Sequence, residues 1–541
     1  MTAITQTCRD CQESFLVDGI DQAHYMKIGV PIPTLCPDHR QRRRMSFRNE
    51  RNFYYRKCDL CAKQIISIYR PDSPHTVYCN ACWWSDKWDP MAHGQEIDWN
   101  RPFFDQMKEL QLKVPRLALL QKNSENCDFT NHCENNRNCY MCVDTADSED
   151  VFFSKWILSC RDCADSYNIE KSELCYSAQY QVGAYKNIHC FLSDYCRDSS
   201  FLYNCKSCED CFMSSNLQHK KFYAYNQQLT EEQYRDFMKT VDLKSHEQLE
   251  KYLGEYVEML HSAPKEASHL ILSENCSGDC IYQSKNVFDS FDIIESQDCR
   301  YCTEAGHQKD SYDVYESAFE GELQYECHGC NRGKFLKFGH VSYDISDSDY
   351  VDSCHNSSHL FACTALRHKK YAIFNKVYSQ EEYESLRARL IEHMKNTGEW
   401  GEFFPPALSP FAYNETVAQE YFPLDDSKAE SLDHHYQGPI AQIPDHLDDT
   451  SEEITKGILQ CESTGKLYRI TPQELAFHRK LGLALPRLCP EQRYLNRLAL
   501  RSPRKLRPDH CVLCAKSVQT PHPAEWNQKI YCKACFVTTF Y

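Results

Sequence analysis

The chain has 541 residues, a formal net charge of −16 at pH 7 and 33 cysteines. That length is enough for several domains and a large total core, and the acidic balance argues against uniform coating of nucleic acid. Met1 is followed by polar residues and a ligand candidate at Cys8, which leaves no room for a secretory leader, and no stretch is apolar enough to span a bilayer.

Cysteine used this heavily in a reducing cytosol points to metal sites or small buried thiols. The first candidate element is a zinc finger with a basic connector, over 1–57. Cys8-x2-Cys11 is followed after 24 residues by Cys36-x2-His39, and two ligand pairs at knuckle spacing suit a tetrahedral zinc ion. Asp21 to Ile28 reads as a helix, stopped by Gly29 to Pro33. The connector holds Arg40, Arg42, Arg43, Arg44, Arg48, Arg51, Arg56 and Lys57 against one acid, Glu50. Arg42, Arg43 and Arg44 are therefore candidates for phosphate contact. The competing reading pairs these arginines with the acidic middle of the same molecule.

The second module, with an aromatic linker, covers 58–122. Cys58-x2-Cys61 and Cys79-x2-Cys82 are 17 residues apart. The span between them is apolar at Ile65, Ile66 and Ile68 and turns at Pro71-Asp72, which predicts a hairpin and hence a zinc ribbon.

The middle is a duplication, with copies over 123–271 and 272–400. Ser124-Glu125-Asn126-Cys127 returns 149 residues on as Ser273-Glu274-Asn275-Cys276, Cys205 as Cys354, and His219-Lys220-Lys221 as His368-Lys369-Lys370. Inside the first copy a polar residue recurs at Asn138, Asp150, Asp162, Glu173, Asn187, Asp198 and Asp210. The residue after each, together with Met141, Phe153, Asp165, Tyr176, Cys190, Phe201 and Met213, is read as one inward row of alternating strand positions. Glu149, Arg161 and Lys186 should then face water. Short strands at a period near 12 indicate a β-solenoid. The second copy keeps the beat at Asn286, Asp298, Asp310 and Glu322 and is expected to become irregular after that. On a strand, residues three apart face opposite ways, so Cys160/Cys163, Cys208/Cys211, Cys299/Cys302 and Cys327/Cys330 read as packing groups rather than metal or iron–sulfur knuckles, the alternative being pairs that straddle a corner, where both turn inward. Leu249, Tyr252, Tyr256 and Leu260, and later Tyr383, Leu386, Leu390 and Met394, recur at helical spacing and read as caps over open β edges.

A proline- and aromatic-rich strap and an acidic linker fill 401–452. Phe403-Phe404 should pack on the surface, and the stretch after Asp425, with His434-His435, should be disordered and solvated. Beyond it the N-terminal modules return. Adding 453 carries Cys58, Cys61, Cys79 and Cys82 onto Cys511, Cys514, Cys532 and Cys535, a C-terminal ribbon over 511–541. The first finger returns over 453–510 with Cys461 and Cys489 kept but Thr464 and Gln492 in the other two places. That site reads either as an open, catalytic-type metal site or, preferably, as a decayed one held by packing. Its connector places Arg497 and Arg501 beside Arg42, Arg43 and Arg44 as candidate nucleic-acid contacts.

Cys8 to Arg44, Cys58 to Trp88 with Tyr78-Cys79-Asn80-Ala81-Cys82-Trp83-Trp84, the His-Lys-Lys caps and Ser409 to Leu424 resemble a family of cysteine-rich zinc-ribbon proteins from bacterial candidate phyla. The resemblance covers nearly the whole chain and implies zinc binding in a soluble bacterial protein, without an established activity. Thr464 and Gln492 depart from the family pattern.

The expected fold is mainly β with helical caps, a duplicated β-solenoid flanked at both ends by zinc-ribbon or treble-type modules. Three structural Zn2+ sites are expected. The functional expectation is a cytoplasmic, non-enzymatic interaction scaffold with a protein partner, no membrane and no small-molecule substrate. A nucleic-acid-binding zinc protein is the alternative, and a metal- or redox-dependent enzyme the third reading.

Overall fold

A backbone pattern of period three winds the middle of the chain into a coil of parallel strands. The computed structural model describes residues 2–317, 319–424 and 439–541. From Asn123 to Tyr225 every third residue has a positive φ, between 43° and 64°. Four such left-handed residues occur per twelve-residue turn, so each turn closes from four short sides. The conformation costs an ordinary L-residue about 1–2 kcal/mol, and the ladder between turns offsets it. The Asp150 N–H donates to the Arg137 carbonyl (3.0 Å) in the turn before, and the Glu149 N–H to the Cys160 carbonyl (3.0 Å) in the turn after. Asn and Asp tolerate the left-handed region best, and their side chains add ladders of their own. Asn126 donates to Asn138 (2.9 Å), and Asn138 to Asp150 (3.1 Å).

The residue after each left-handed one points into the coil. All twelve cysteines from Cys127 to Cys211 hold this position, beside Val151, Ile157, Ile169 and Ala178. Serine and cysteine suit it because they are small and carry a donor. Ser148 Oγ donates to the Ala146 carbonyl (2.8 Å) and accepts from the Cys160 N–H (3.1 Å). Cys142 Sγ reaches the Val151 carbonyl at 3.2 Å. Interior polar backbone groups thereby find partners that an aliphatic lining would deny them.

The coil corrects the expected register. Its interior repeats every three residues rather than every two, since the intervening left-handed residue turns the chain. Cys139, Val151 and Cys163 do face inward, but Met141, Phe153, Asp165, Phe201 and Met213 carry positive φ and lie outside. Where these are buried, other elements cover them: Tyr252 and Tyr256 lie on Phe201, and Arg493 on Phe153. The beat does not slip to Glu173 and Asn187; Leu174 and Lys186 take it, with φ of 57° and 52°. Residues three apart share the interior, so Cys160/Cys163, Cys208/Cys211, Cys299/Cys302 and Cys327/Cys330 all point inward, against the opposite-face expectation. Arg161 and Lys186 face water and Glu149 is half-buried.

The second copy repeats the coil with two compensating slips. One turn has 11 residues, carrying Asn275 onto Asn286, and one has 13, pairing Lys309 with Glu322. The first slip occurs at Gly278, whose φ is +140° and whose added Cβ would lie 1.7 Å from the Ser290 carbonyl oxygen. Beyond Glu322 the coil stays regular: Leu323, Phe335, Asp347, His359 and Tyr371 continue the left-handed beat.

The open end of each coil is closed by a hairpin, Lys221–Ala224 with Gln227–Gln228 and Lys370–Ile373 with Lys376–Val377. Helices Glu231–Met238 and Gln380–Asn396 follow, each started by a capping box at Thr230 and Ser379. The long helices lie on the flanks of the coils rather than over their ends. Helix His246–Ser262 sets Tyr252 against Phe201 and Phe212. Helix Phe103–Lys113 does the same for the second copy, with Phe103 against Tyr350 and Phe361. The strap is likewise not superficial, since Phe403 and Phe404 are wholly buried beside Phe47. His434-His435 and the first part of the acidic linker fall outside the described residues. From 439 onward the linker is ordered, contrary to expectation. Ile440 bridges Ile458, and the Asp445 carboxylate accepts from Ser245 Oγ at 2.8 Å.

The chain divides into two units that each combine distant segments. One comprises Met1–Leu119, Ser268–Glu430 and Arg504–Leu506; the other Leu120–Ala267, Ser431–Pro503 and Arg507–Tyr541. The N-terminal modules thus belong with the second coil and the C-terminal modules with the first. Among the described residues no helix is long and apolar enough to cross a membrane.

Candidate metal centres

Each ligand set is assembled by one hairpin and one helix N-terminus. In the first finger, strands Ile4–Thr7 and Ser14–Val17 pair and leave Cys8 and Cys11 on the turn between them. The turn closes through Gln12, in the left-handed region, whose N–H donates to the Cys8 carbonyl at 3.0 Å. Cys36 is the N-cap of helix Pro37–Met45 and His39 lies in its first turn. The same build sets Cys58 and Cys61 between Tyr54–Lys57 and Gln64–Ser67, with Cys79 capping Asn80–Trp83. It also sets Cys511 and Cys514 between Arg507–His510 and Ser517–Thr520, with Cys532 capping Lys533–Phe540. Within Cys8/Cys11/Cys36/His39, Cys58/Cys61/Cys79/Cys82 and Cys511/Cys514/Cys532/Cys535, one donor atom per residue lies within 4.8 Å of all the others. Cys36 Sγ is 3.1 Å from His39 Nδ1, and Cys61 Sγ is 3.9 Å from Cys79 Sγ.

The hairpin expected within Ala62 to Tyr78 takes a different form. The paired strands flank the first knuckle, and Val77–Tyr78 instead pairs in parallel with Arg116–Leu117. Pro71 and Pro74 in the connection lack the N–H donors that a returning antiparallel strand would need.

The thiols cannot all ionise without a cation. Burial opposes ionisation of Cys8 and Cys58, yet backbone N–H groups around each sulfur outweigh it and bring both down to about 7. In the C-terminal set the same balance brings Cys511 to about 6. The partners move the other way: burial first, then the neighbouring sulfurs, push Cys36 and Cys82 up to about 12. Each tetrad thus holds one thiol primed as a thiolate beside one that resists ionisation, a balance that a divalent ion would shift. The donor set and spacing fit a closed, four-coordinate zinc site.

The degenerate finger keeps the build without the donors. Strands Leu459–Gln460 and Leu467–Tyr468 pair, and Cys489 caps helix Pro490–Ala499. Thr464 Oγ1 lies 3.9 Å from Cys489 Sγ. No group of three metal donors forms there among the described residues. An apolar cluster of Leu447, Leu459, Tyr468, Ile470, Leu475 and Leu485 surrounds the two cysteines and holds the module.

The basic connectors turn inward. Arg40 and Arg44 both pair with Asp313 (2.9 and 3.0 Å), Arg44 and Arg43 with Glu326 (2.8 and 2.7 Å), and Arg43 with Glu402 (2.7 Å). Arg44 is 0% exposed and Arg43 7%. In the other unit Arg497 pairs with Asp165 (2.8 Å), beside Arg493, and Arg501 lies over the Tyr167 ring. Of the five arginines read as nucleic-acid contacts, Arg43, Arg44, Arg497 and Arg501 are buried and only Arg42 keeps partial exposure. The competing reading, internal pairing with the acidic middle, describes Arg43, Arg44 and Arg497.

No family model matches the chain, and no curated protein matches it. Among solved structures, one match is a Desulfovibrio desulfuricans G20 protein assigned by name as an acetyltransferase. It is 9% identical, with 49% of this chain and 69% of that one covered, at a TM-score of 0.10.

Proposed function

We propose that the protein is a zinc-stabilised interaction scaffold, cytoplasmic and bacterial like the cysteine-rich family it resembles. Three donor tetrads on identical hairpin-and-helix frames carry the zinc part of this reading. In it, zinc fastens the modules, and the modules cover selected faces of the coils. The faces left open then serve a protein partner. Asn123, Asn135 and Asp147 form an exposed ladder, the side chains linked at 3.3 and 2.9 Å, flanked by the exposed Arg137 and Arg161. Such a row repeats once per strand spacing and offers a partner many equivalent polar groups.

Metal content per chain, measured with the ultraviolet–visible spectrum, tests the first part. Three zinc ions and no visible absorption are expected, and Cys79→Ser should remove one ion. Iron with visible absorption would overturn it. Crosslinking in cells tests the second part: crosslinks to one partner should cluster on the 123–150 face and vanish in an Asn135→Lys, Asp147→Lys variant. A scatter of crosslinks indifferent to that variant would retire the scaffold. The nucleic-acid reading keeps Arg42 alone of its five residues as an accessible contact, and predicts weak binding that collapses with salt.

A further inference from the structure

The second coil carries a group of donors that belongs to none of the three tetrads. His269, Asp279 and Cys280 each place one donor atom within 4.8 Å of the other two. His269 Nδ1 lies 2.9 Å from the Asp279 carboxylate, which also accepts the His269 backbone N–H at 2.7 Å. His269 and Cys280 are 5% and 6% exposed.

Cys280 is out of place among the coil cysteines. The other nineteen follow a left-handed residue and point inward; Cys280 is itself left-handed, with φ of 52°, and so sits on the outer side. The 11-residue turn puts it there. At Gly278 the chain gives up one residue, which shifts the register by one and brings a thiol to a corner that would otherwise carry the next residue of the interior column.

The first coil supplies an internal comparison. Asn131 Oδ1 accepts the Leu120 N–H at 2.8 Å, just as Asp279 accepts from His269. Leu120, Asn131 and His132 therefore correspond to His269, Asp279 and Cys280. The scaffold hydrogen bond is common to both copies, so it does not require histidine or a carboxylate. Three metal-binding donors of different chemistry nonetheless stand together at the corner where the first coil has Leu, Asn and His.

We propose that His269, Asp279 and Cys280 form a fourth metal site, which takes a borderline divalent transition ion of the zinc class. Thiolate, imidazole and carboxylate together suit such an ion better than calcium or magnesium, which prefer oxygen alone. Three protein donors leave a fourth position for water or an exogenous ligand, the coordination that distinguishes reactive zinc sites from closed structural ones. The assignment stands whether or not the three tetrads are loaded.

The test compares the full-length protein with two variants after equilibration in the same micromolar free-zinc buffer. His269→Leu with Asp279→Asn installs residues that the first coil accommodates at the same scaffold positions. Cys280→Ala removes the thiolate alone. Each variant should hold one zinc fewer per chain than the parent, whatever the parent total. In cobalt-loaded protein, the parent-minus-Cys280→Ala difference spectrum should show a sulfur-to-cobalt charge-transfer band. Should the double variant fail to fold, Cys280→Ala decides the matter. Equal zinc content in the parent and Cys280→Ala, with no cobalt difference band, overturns the site.

Discussion

Arg44 shows how much a single residue of the basic connector is asked to do. Its guanidinium has no exposure and spans Asp313 and Glu326, while Arg40 and Arg43 take the remaining sides of the same carboxylates. A buried pair of this kind adds little net stability over apolar packing. Removing one partner, however, strands an uncompensated charge at a cost of about 3–5 kcal/mol. Arg44→Ala should therefore destabilise by that amount in denaturant unfolding, whereas Arg42→Ala, one turn-face away and partly exposed, should cost less than about 1 kcal/mol. Equal, small losses would show that the network is not coupled to folding. The sequence displayed the run of arginines plainly but not its direction. Their partners lie more than 260 residues onward, and a charge cluster looks the same whether it meets phosphate or its own chain's carboxylates. The corresponding pair Arg497–Asp165 in the other unit could have served as the signal, because arginine recurs at both ends and aspartate in both coils.

At the scale of the strand, the period-three coil separates two neighbours that an alternating strand would treat differently. Leu174 is left-handed and buried on the outer side, 8% exposed; Cys175 follows it, points into the coil and is 0% exposed. A glutamate at 175 must place its charge in the coil interior, in the apolar cluster that holds Cys163, Ala178 and Ile169. Cys175→Glu should cost several kcal/mol, on the order of a buried unpaired charge. Leu174→Glu should cost clearly less, because the same column carries Asp162 and the exposed Lys186. The reverse order in thermal unfolding would restore the two-residue register. The cysteine knuckles were legible because a CxxC turn is local: four residues specify it and the hairpin follows. The coil was legible only as a period near 12. The left-handed positions are filled by Phe153, Trp156 and Leu174 as well as by Asn and Asp, so composition marks them only in part. The cysteines mark them better, since every one between Cys127 and Cys211 is separated from the next by a multiple of three.

Taken as a whole, the molecule holds the same kinds of part in two units assembled in cyclically permuted order: modules then coil in one, coil then modules in the other. Both units meet acid with buried histidines. His24, His75 and His355 lie in the first; burial, ahead of nearby charges, brings them down to about 4, 3 and 4. Burial likewise brings His189 and His478 in the second down to about 3 and 4, and lowers His246 there as well. A histidine whose folded pKa lies below its usual 6.5 leaves the unfolded chain binding the extra proton between those values. Its stabilising effect is complete above about 6.5 and is lost as pH falls toward about 4, at ~1.4 kcal/mol per pH unit for each group. Asp21 in the first unit and Asp194 and Glu474 in the second, all raised by burial, act with the opposite sign. Acidification across this window should thus weaken both units. Hydrogen exchange at Ile345 and Ile157, interior residues of the two coils, would report the loss in each. Loss of zinc at low pH could mimic it, and His355→Phe separates the two causes. His355 stacks between Tyr343 and the indoles of Trp83 and Trp84, a setting that accepts a phenyl ring. The variant should keep its zinc and reduce the acid slope at Ile345 by ~1.4 kcal/mol per pH unit. A slope unchanged by the substitution would assign the acid sensitivity to the metal sites instead.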